Sequence, residues 1–199
     1  MIILITGCCG FIGSHLAETL LKNIKNNLII GLDNMNDYYS IKLKEKNLII
    51  LKKYKNFLFL KENIIDTKAI EKFKPNIIIH LASLAGVRNS LLEPIKYCNI
   101  NIIGMLNLLE QSRKNNVKKF LYASSSSVYG NNTKIPFSES DKIENLNSPY
   151  ATSKKAMELY AQTYSQLYNL NTIGFRFFTV YGPRGRPDMA PYKFLYNIM

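Results

Sequence analysis

Six short runs of nearly unbroken apolar residues recur along this chain, at positions 2–6, 28–33, 57–60, 77–82, 120–124 and 172–177. A strand with one wet face alternates apolar and polar side chains, whereas a strand covered on both faces has no need to, so these runs read as buried parallel strands. Between them, segments 11–23, 41–53, 67–72, 94–115 and 149–168 repeat apolar residues at helical spacing with few breakers. Parallel neighbours can be joined only by crossovers, and strand and helix in strict alternation predict an α/β fold built on a doubly wound parallel sheet. Ser148-Pro149 supplies an N-cap and a proline at the first helical position for the last of these helices.

The first strand runs into Thr6-Gly7-Cys8-Cys9-Gly10-Phe11-Ile12-Gly13 and then at once into a helix. Glycines at these three positions allow a tight turn, a close approach of pyrophosphate to backbone, and packing of helix on strand. The helix N-terminus then faces the phosphates. Asp33 ends the second strand 20 residues after Gly13, the spacing of a carboxylate that accepts from adenosine ribose hydroxyls. That carboxylate repels a 2′-phosphate and no arginine follows it locally, so the expected cofactor is NAD rather than NADP. Cys8 and Cys9 read as small residues that fit the turn.

The fifth strand runs out through Tyr122-Ala-Ser124-Ser125-Ser126-Ser127-Val-Tyr129-Gly130, and 20 residues beyond Gly130 Tyr150-Ala-Thr-Ser-Lys154 opens a helix. Tyr150 and Lys154, four apart, share one helix face. Tyrosine is a poor base near neutrality, but a neighbouring ammonium and an oxidised nicotinamide both favour its phenolate. Ser125 is placed to hydrogen-bond the same substrate hydroxyl.

The 199 residues, 47% hydrophobic and 20% charged, suffice for one sizeable core and exclude a disordered or collagen-like chain. The net charge of +12 raises the question of a nucleic-acid partner, yet 21 of the 26 basic residues are lysine. Arginine is the side chain suited to bidentate phosphate and base contacts. The ten lysines between Lys42 and Lys74 therefore read as a solvated face, with no nucleic-acid partner expected. Three cysteines, two of them adjacent, fit a reduced, cytoplasmic setting better than a disulfide framework. The opening apolar run lacks a basic leader and no run approaches the roughly 20 residues of a membrane span, so neither signal peptide nor membrane anchor is expected. His15 and His80, the only histidines, read as structural, and no metal site is expected.

Taken together, these motifs resemble the extended short-chain dehydrogenases/reductases, the NAD-dependent epimerase/dehydratase family, over essentially the whole chain. Segments GLDNMNDYYS (31–40), HLASLAGVR (80–88) and RFFTVYGPRGRPDMA (176–190) are similar to those of its UDP-glucuronate 4-epimerase branch. The resemblance implies a Rossmann fold with Ser125, Tyr150 and Lys154 as the catalytic triad. Along the cofactor it places the turn with Gly7, Gly10, Phe11, Ile12 and Gly13, then Asp33 and Asn34 at the ribose and Asn63 and Ile64 at adenine. Leu81, Ala82 and Ser83 follow, with Asn101 in the supporting network. Arg88, Ser125, Ser126, Ser127, Tyr150, Thr179 and Arg186 would face a UDP-sugar, a uronate. Asn63 stands where aspartate is common, Ser83 and Leu84 where Ala and Gln are common, and Arg184 where an aromatic is frequent.

Relatives that dehydrate or decarboxylate the 4-keto sugar carry acidic side chains just after the catalytic serine or threonine, where this chain has Ser126 and Ser127, so epimerisation is expected. The alternatives are a UDP-hexose 4-epimerase, disfavoured by Thr179 where neutral-sugar enzymes carry Asn, and an NAD-binding module without turnover. By the same resemblance, residues 1–180 form the cofactor-binding and catalytic domain and 181–199 begin a substrate-binding region. The C-terminal substrate lobe is expected to be largely absent, and helices 94–115 and 149–168 to pair in a homodimer.

Overall fold

The structure, a computed structural model, describes residues 1–24 and 26–198. Strands β1 (Ile2–Thr6), β2 (Leu28–Leu32), β3 (Phe57–Leu60), β4 (Ile77–His80), β5 (Lys119–Ser125) and β6 (Thr172–Phe177) form one sheet in the order β3-β2-β1-β4-β5-β6. Every neighbouring pair is parallel. The expected doubly wound sheet is therefore present. The chain moves outward from β1 in one direction to β3, then crosses back to β4 and continues the other way, which opens a crevice beyond the carboxyl ends of β1 and β4.

Side-chain alternation along β1 explains why both faces are apolar. Ile3 and Ile5 join Ile29, Ala17, Leu21, Leu48 and Leu51, under helices α1 (Phe11–Asn23) and α2 (Ile41–Leu51). Leu4 turns the other way and joins Ile30, Ile78, Phe120, Ile70, Leu108 and Met157. That layer lies under α3 (Ala69–Phe73), the helix at Gly104–Lys114 and the long helix at Pro149–Tyr168. Each face buries its own cluster, so neither requires a polar stripe.

Three elements differ from the sequence reading. A short helix, α4 (Val87–Leu92), follows the β4 loop where no helix was expected. Segment 94–115 is divided into α5 (Pro94–Tyr97), a π-helical turn (Cys98–Ile103) and α6 (Gly104–Lys114). The wider turn carries the fully buried Asn101, whose amide donates to the Leu84 carbonyl at 3.0 Å and to Ser153 Oγ at 2.9 Å and accepts from Leu84 N–H at 2.8 Å. A tertiary contact thus accompanies the change of helical register. Lastly, β6 is an edge strand: Thr172 and Arg176 face α7 (Pro149–Tyr168), while Ile173 and Phe175 on the opposite face are each 42% exposed. The terminal α8 (Ala190–Ile198) has no buried residue.

No helix among the described residues is long and apolar enough to cross a membrane. Phe120, fully buried at the centre of the larger cluster, gives a direct measure of that core. Phe120→Ala is expected to lower the unfolding free energy by about 3–5 kcal/mol, read from the urea midpoint at unchanged m-value.

Candidate active site

The crevice at the carboxyl ends of the strands is a cleft of about 460 Å³. Its first wall is the glycine turn. Gly7 adopts φ +73°, and a Cβ there would lie 2.7 Å from Ala82 N. A Cβ on Gly13 would lie 2.1 Å from the Gly7 carbonyl oxygen. Helix α1 can start directly on the end of β1 only because both side chains are missing. Gly10 places no side-chain cap on the first amides of α1. Phe11 and Ile12 line the cleft there, leaving a helix N-terminus open to an anion.

Asp33 closes the next wall. Its carboxylate accepts from the backbone N–H of Cys9 at 3.0 Å and of Met35 at 2.9 Å, which fixes both oxygens at the cleft edge with lone pairs to spare. Asn34, Asn63 and Ile64 continue this edge, and Leu81, Ala82 and Ser83 line the floor. An uncapped helix end, a rigid carboxylate and a long apolar floor fit a dinucleotide. Cys8 and Cys9, both buried, lie with sulfurs 3.7 Å apart. The Cys9 sulfur and burial push the Cys8 thiol far above its ordinary range, so it is a packed, unreactive thiol. These sulfurs and an Asp33 oxygen lie within 4.8 Å of one another, the thiols buried against the glycine turn.

Opposite, α7 presents Tyr150 and Lys154 to the end of β5. Ser148 caps α7 by accepting from Ala151 N–H at 3.1 Å, and Pro149 occupies its first turn. Lys154 is 1% exposed, and its ammonium donates to the Ala123 carbonyl at 2.7 Å and to Ser83 Oγ at 3.1 Å. Burial without a carboxylate partner pulls its pKa down to about 7. Burial likewise raises the Tyr150 phenol, opposed by the Ser125 hydroxyl and by the Arg186 guanidinium. Lys154 Nζ lies 6.0 Å from the centre of the Tyr150 ring. Ser125 Oγ accepts from Ser127 N–H at 3.1 Å, which begins the single 3-10 turn that places Ser126 and Ser127 in the cleft.

Thr179 and Arg186 complete the lining. The Arg186 guanidinium pairs with Asp188 at 3.0 and 2.5 Å and lies 5.2 Å from the Tyr38 ring centre. Arg88 is not brought in: it sits exposed on α4, and its neighbour Val87 lines the cleft instead. Asn101 stands behind the wall, bonded to Leu84. His80 is buried with Nδ1 2.8 Å from Thr6 Oγ1, and burial pulls its pKa down to about 3, so it is a neutral structural ring. His15 bonds the Pro183 carbonyl at 2.9 Å, and Arg184 pairs with Glu18 at 2.5 Å, tying the segment after β6 to α1.

Among the lining residues that the sequence reading does not single out are Tyr38, Tyr39 and Lys44. Tyr38 and Tyr39 belong to the GLDNMNDYYS segment, in which no motif gives either ring a place. Lys44 departs from the solvated face expected of its neighbours: it is 5% exposed, with its ammonium 2.8 Å from both the Asn36 carbonyl and Asn36 Oδ1. Its spacing from Asp33 across a loop and helix turn carried no signal that distinguishes it from the lysines around it.

Lys154 binds fewer protons folded, with a pKa of about 7, than unfolded, where an ordinary lysine titrates near 10.5. Its burial therefore penalises the fold most below pH 7, and the penalty is relieved as pH rises toward 10.5. Lys154→Met is expected to melt at a higher temperature than the parent at pH 6.5, and the gap to narrow by pH 9.5. Gly13→Ala, by forcing α1 off β1, is expected to abolish dinucleotide binding, read by titration calorimetry.

A family model for the NAD dependent epimerase/dehydratase family matches residues 3–198. Protein CapI of Staphylococcus aureus is 54% identical over 198 residues, covering 98% of this chain and 58% of its own. The probable UDP-glucuronate 4-epimerase of Rhizobium meliloti is 44% identical over 196 residues, covering 96% of this chain and 57% of its own. The solved UDP-glucuronic acid 4-epimerase from Bacillus cereus, in complex with UDP-glucuronic acid and NAD, superposes on the whole chain with a TM-score of 0.93 at 35% identity. This chain covers 63% of that structure, so it spans about three fifths of the length of these relatives. With the parallel sheet, the glycine turn and the match over nearly every residue in view, the chain belongs to the NAD dependent epimerase/dehydratase family.

Proposed function

We propose that this chain carries the cofactor-binding and catalytic part of an NAD-dependent nucleotide-sugar 4-epimerase that interconverts UDP-glucuronate and UDP-galacturonate. The observation that carries the reading is the convergence of Tyr150, Lys154 and Ser125 at one end of a cleft whose other end holds Asp33 and the open N-terminus of α1. Residues 1–180 would form that unit and 181–199 the opening of a substrate-binding region.

NAD, when bound, supplies a hydride acceptor and donor at its nicotinamide. Tyr150, as phenolate, takes the proton of the sugar 4-hydroxyl while hydride leaves C4, which gives a 4-keto sugar. Hydride returned to the opposite face of the turned ketone, with the same proton handed back by Tyr150, inverts C4 with no net redox change. Lys154 stabilises the phenolate by charge and holds its place through the Ala123 carbonyl. Ser125 donates to the same sugar oxygen. Asp33 accepts from the ribose hydroxyls and repels a 2′-phosphate.

The absence of a carboxyl group at Ser126 and Ser127 leaves nothing there to expel the 6-hydroxyl, which disfavours dehydration. The hydroxyls of Ser126, Ser127 and Thr179 are suited to receive a uronate carboxylate by hydrogen bonds. Held there, the carboxylate stays out of alignment with the C4 carbonyl π system and the β-keto acid keeps its CO₂. Arg186 lines the same cleft with its guanidinium held by Asp188, and it is the cation nearest to hand for a sugar nucleotide there. Arg88, exposed on α4 and outside the cleft lining, would meet only the part of a substrate that extends beyond the cleft. Exposed Ile95 on α5, Ile103 at the end of the π-helical turn, and Leu159 and Leu167 on α7 support a homodimer through these helices.

Titration calorimetry is expected to give NAD an affinity at least about tenfold above NADP, and Asp33→Ser to erase the difference. Chromatography of UDP-glucuronate incubated with the NAD-loaded protein is expected to show UDP-galacturonate, and Tyr150→Phe to slow its formation by about 10²–10⁴. UDP-glucose turning over faster than UDP-glucuronate would favour the hexose epimerase instead. Thr179→Ala is expected to raise a UDP-pentose by-product and weaken uronate binding.

A further inference from the structure

The stripe that Tyr150 and Lys154 form on α7 continues to a third residue, Glu158, at i+8. All three meet the end of β5. Tyr150 faces Ser125, Lys154 Nζ binds the Ala123 carbonyl at 2.7 Å, and Glu158 Oε1 accepts from Ser124 Oγ at 2.6 Å. Three consecutive residues of one strand thus face three successive turns of one helix, and two of them, Ala123 and Ser124, are bonded to it.

Glu158 is itself held from the far side. Arg176 on β6 donates to it twice, through Nε at 2.9 Å and Nη2 at 3.0 Å, and the two side chains are only 13% and 17% exposed. Lys155 lies 3.6 Å from the same carboxylate. The Arg176 guanidinium also lies 4.9 Å from the centre of the Tyr129 ring, which stacks on Phe137 at 4.6 Å. Burial pushes the Glu158 carboxyl up, but the Arg176 and Ser124 hydrogen bonds prevail and hold it ionised. A bidentate, half-desolvated ion pair has a defined geometry that a surface pair lacks. This one joins α7, the ends of β5 and β6 and the turn that carries Ser126 and Ser127.

We propose that Glu158 and Arg176 are positioning residues for proton transfer: their ion pair, through Ser124, sets the register of α7 on β5 and so keeps Lys154 on the Ala123 carbonyl and Tyr150 against Ser125. The proposal rests on the reading of Tyr150 and Lys154 as the proton-transfer pair. Neither side chain of the ion pair need touch a substrate. Each acts by fixing the strand that the catalytic side chains lean on.

The test follows Lys154 in the cofactor-free chain, labelled with [ε-¹³C]lysine and titrated by NMR. Its resonance is identified by its loss in Lys154→Met. Arg176→Lys keeps the charge and loses the bidentate geometry, and Ser124→Ala removes only the link to β5. With register lost, the ammonium gives up its shortest hydrogen bond and its midpoint is expected to fall by about half to one pH unit in both variants. A thermal melt checks that each remains folded. Should one variant fail to fold, the other decides. A midpoint unchanged or raised in a folded variant overturns the proposal, because a purely structural ion pair would lower the melting temperature and leave Lys154 where it was. NAD binding by the unsubstituted chain is measured in parallel: its failure would defeat the cofactor reading while the lysine titration still decides the role of the ion pair.

Discussion

The cofactor end of the cleft depends on how closely α1 can begin on the end of β1. With a Cβ at Gly13 only 2.1 Å from the Gly7 oxygen, any side chain there would push the helix away from the strand. The backbone amides of Phe11 and Ile12 would then no longer open on the crevice. Because α1 is seated, Cys9 N–H can reach the Asp33 carboxylate, and Asn47 on α2 can donate to the Cys9 carbonyl at 2.9 Å. One steric allowance thus links the first strand, the first two helices and the end of β2, and it leaves a concave anion site at the crossover of the sheet.

The other end of the cleft is organised by a cost rather than an allowance. Lys154 carries its ammonium into a layer where its two acceptors are a carbonyl and a hydroxyl. Among the described residues no carboxylate compensates that burial, and the group is left titrating near neutrality. A positive group poised there suits the stabilisation of a neighbouring phenolate, which is the use the proposed reaction makes of it. Stability given up at Lys154 and order gained through the Glu158–Arg176 pair belong to the same helix face.

The sheet, its parallel sense, the glycine turn, Asp33 and the Tyr150–Lys154 pair were legible because each rests on a local rule: continuous apolar runs, a fixed glycine spacing, a four-residue helical repeat. What was not legible depends on distant partners. The π turn at Cys98–Ile103 is bound through Asn101 to Leu84 and Ser153, and Lys44 is buried because Asn36 lies across from it. A lysine in a cleft and a lysine in water look alike in a helical pattern. Arg88 matched its motif yet points outward, since a motif reports which residue stands at a position and not how a six-residue helix is turned. The apolar run of β6 hid the exposure of Ile173 and Phe175, because run length alone does not say whether both faces are covered.

In the proposed reaction hydride leaves and returns to C4 of the sugar within one cleft. UDP-glucuronate deuterated at C4, incubated with the NAD-loaded protein in ordinary water, tests it most directly by mass spectrometry of the 4-epimer. Retention of the deuterium at C4 of UDP-galacturonate is the result expected. Loss of the label to water, with inversion at C4, would contradict the mechanism.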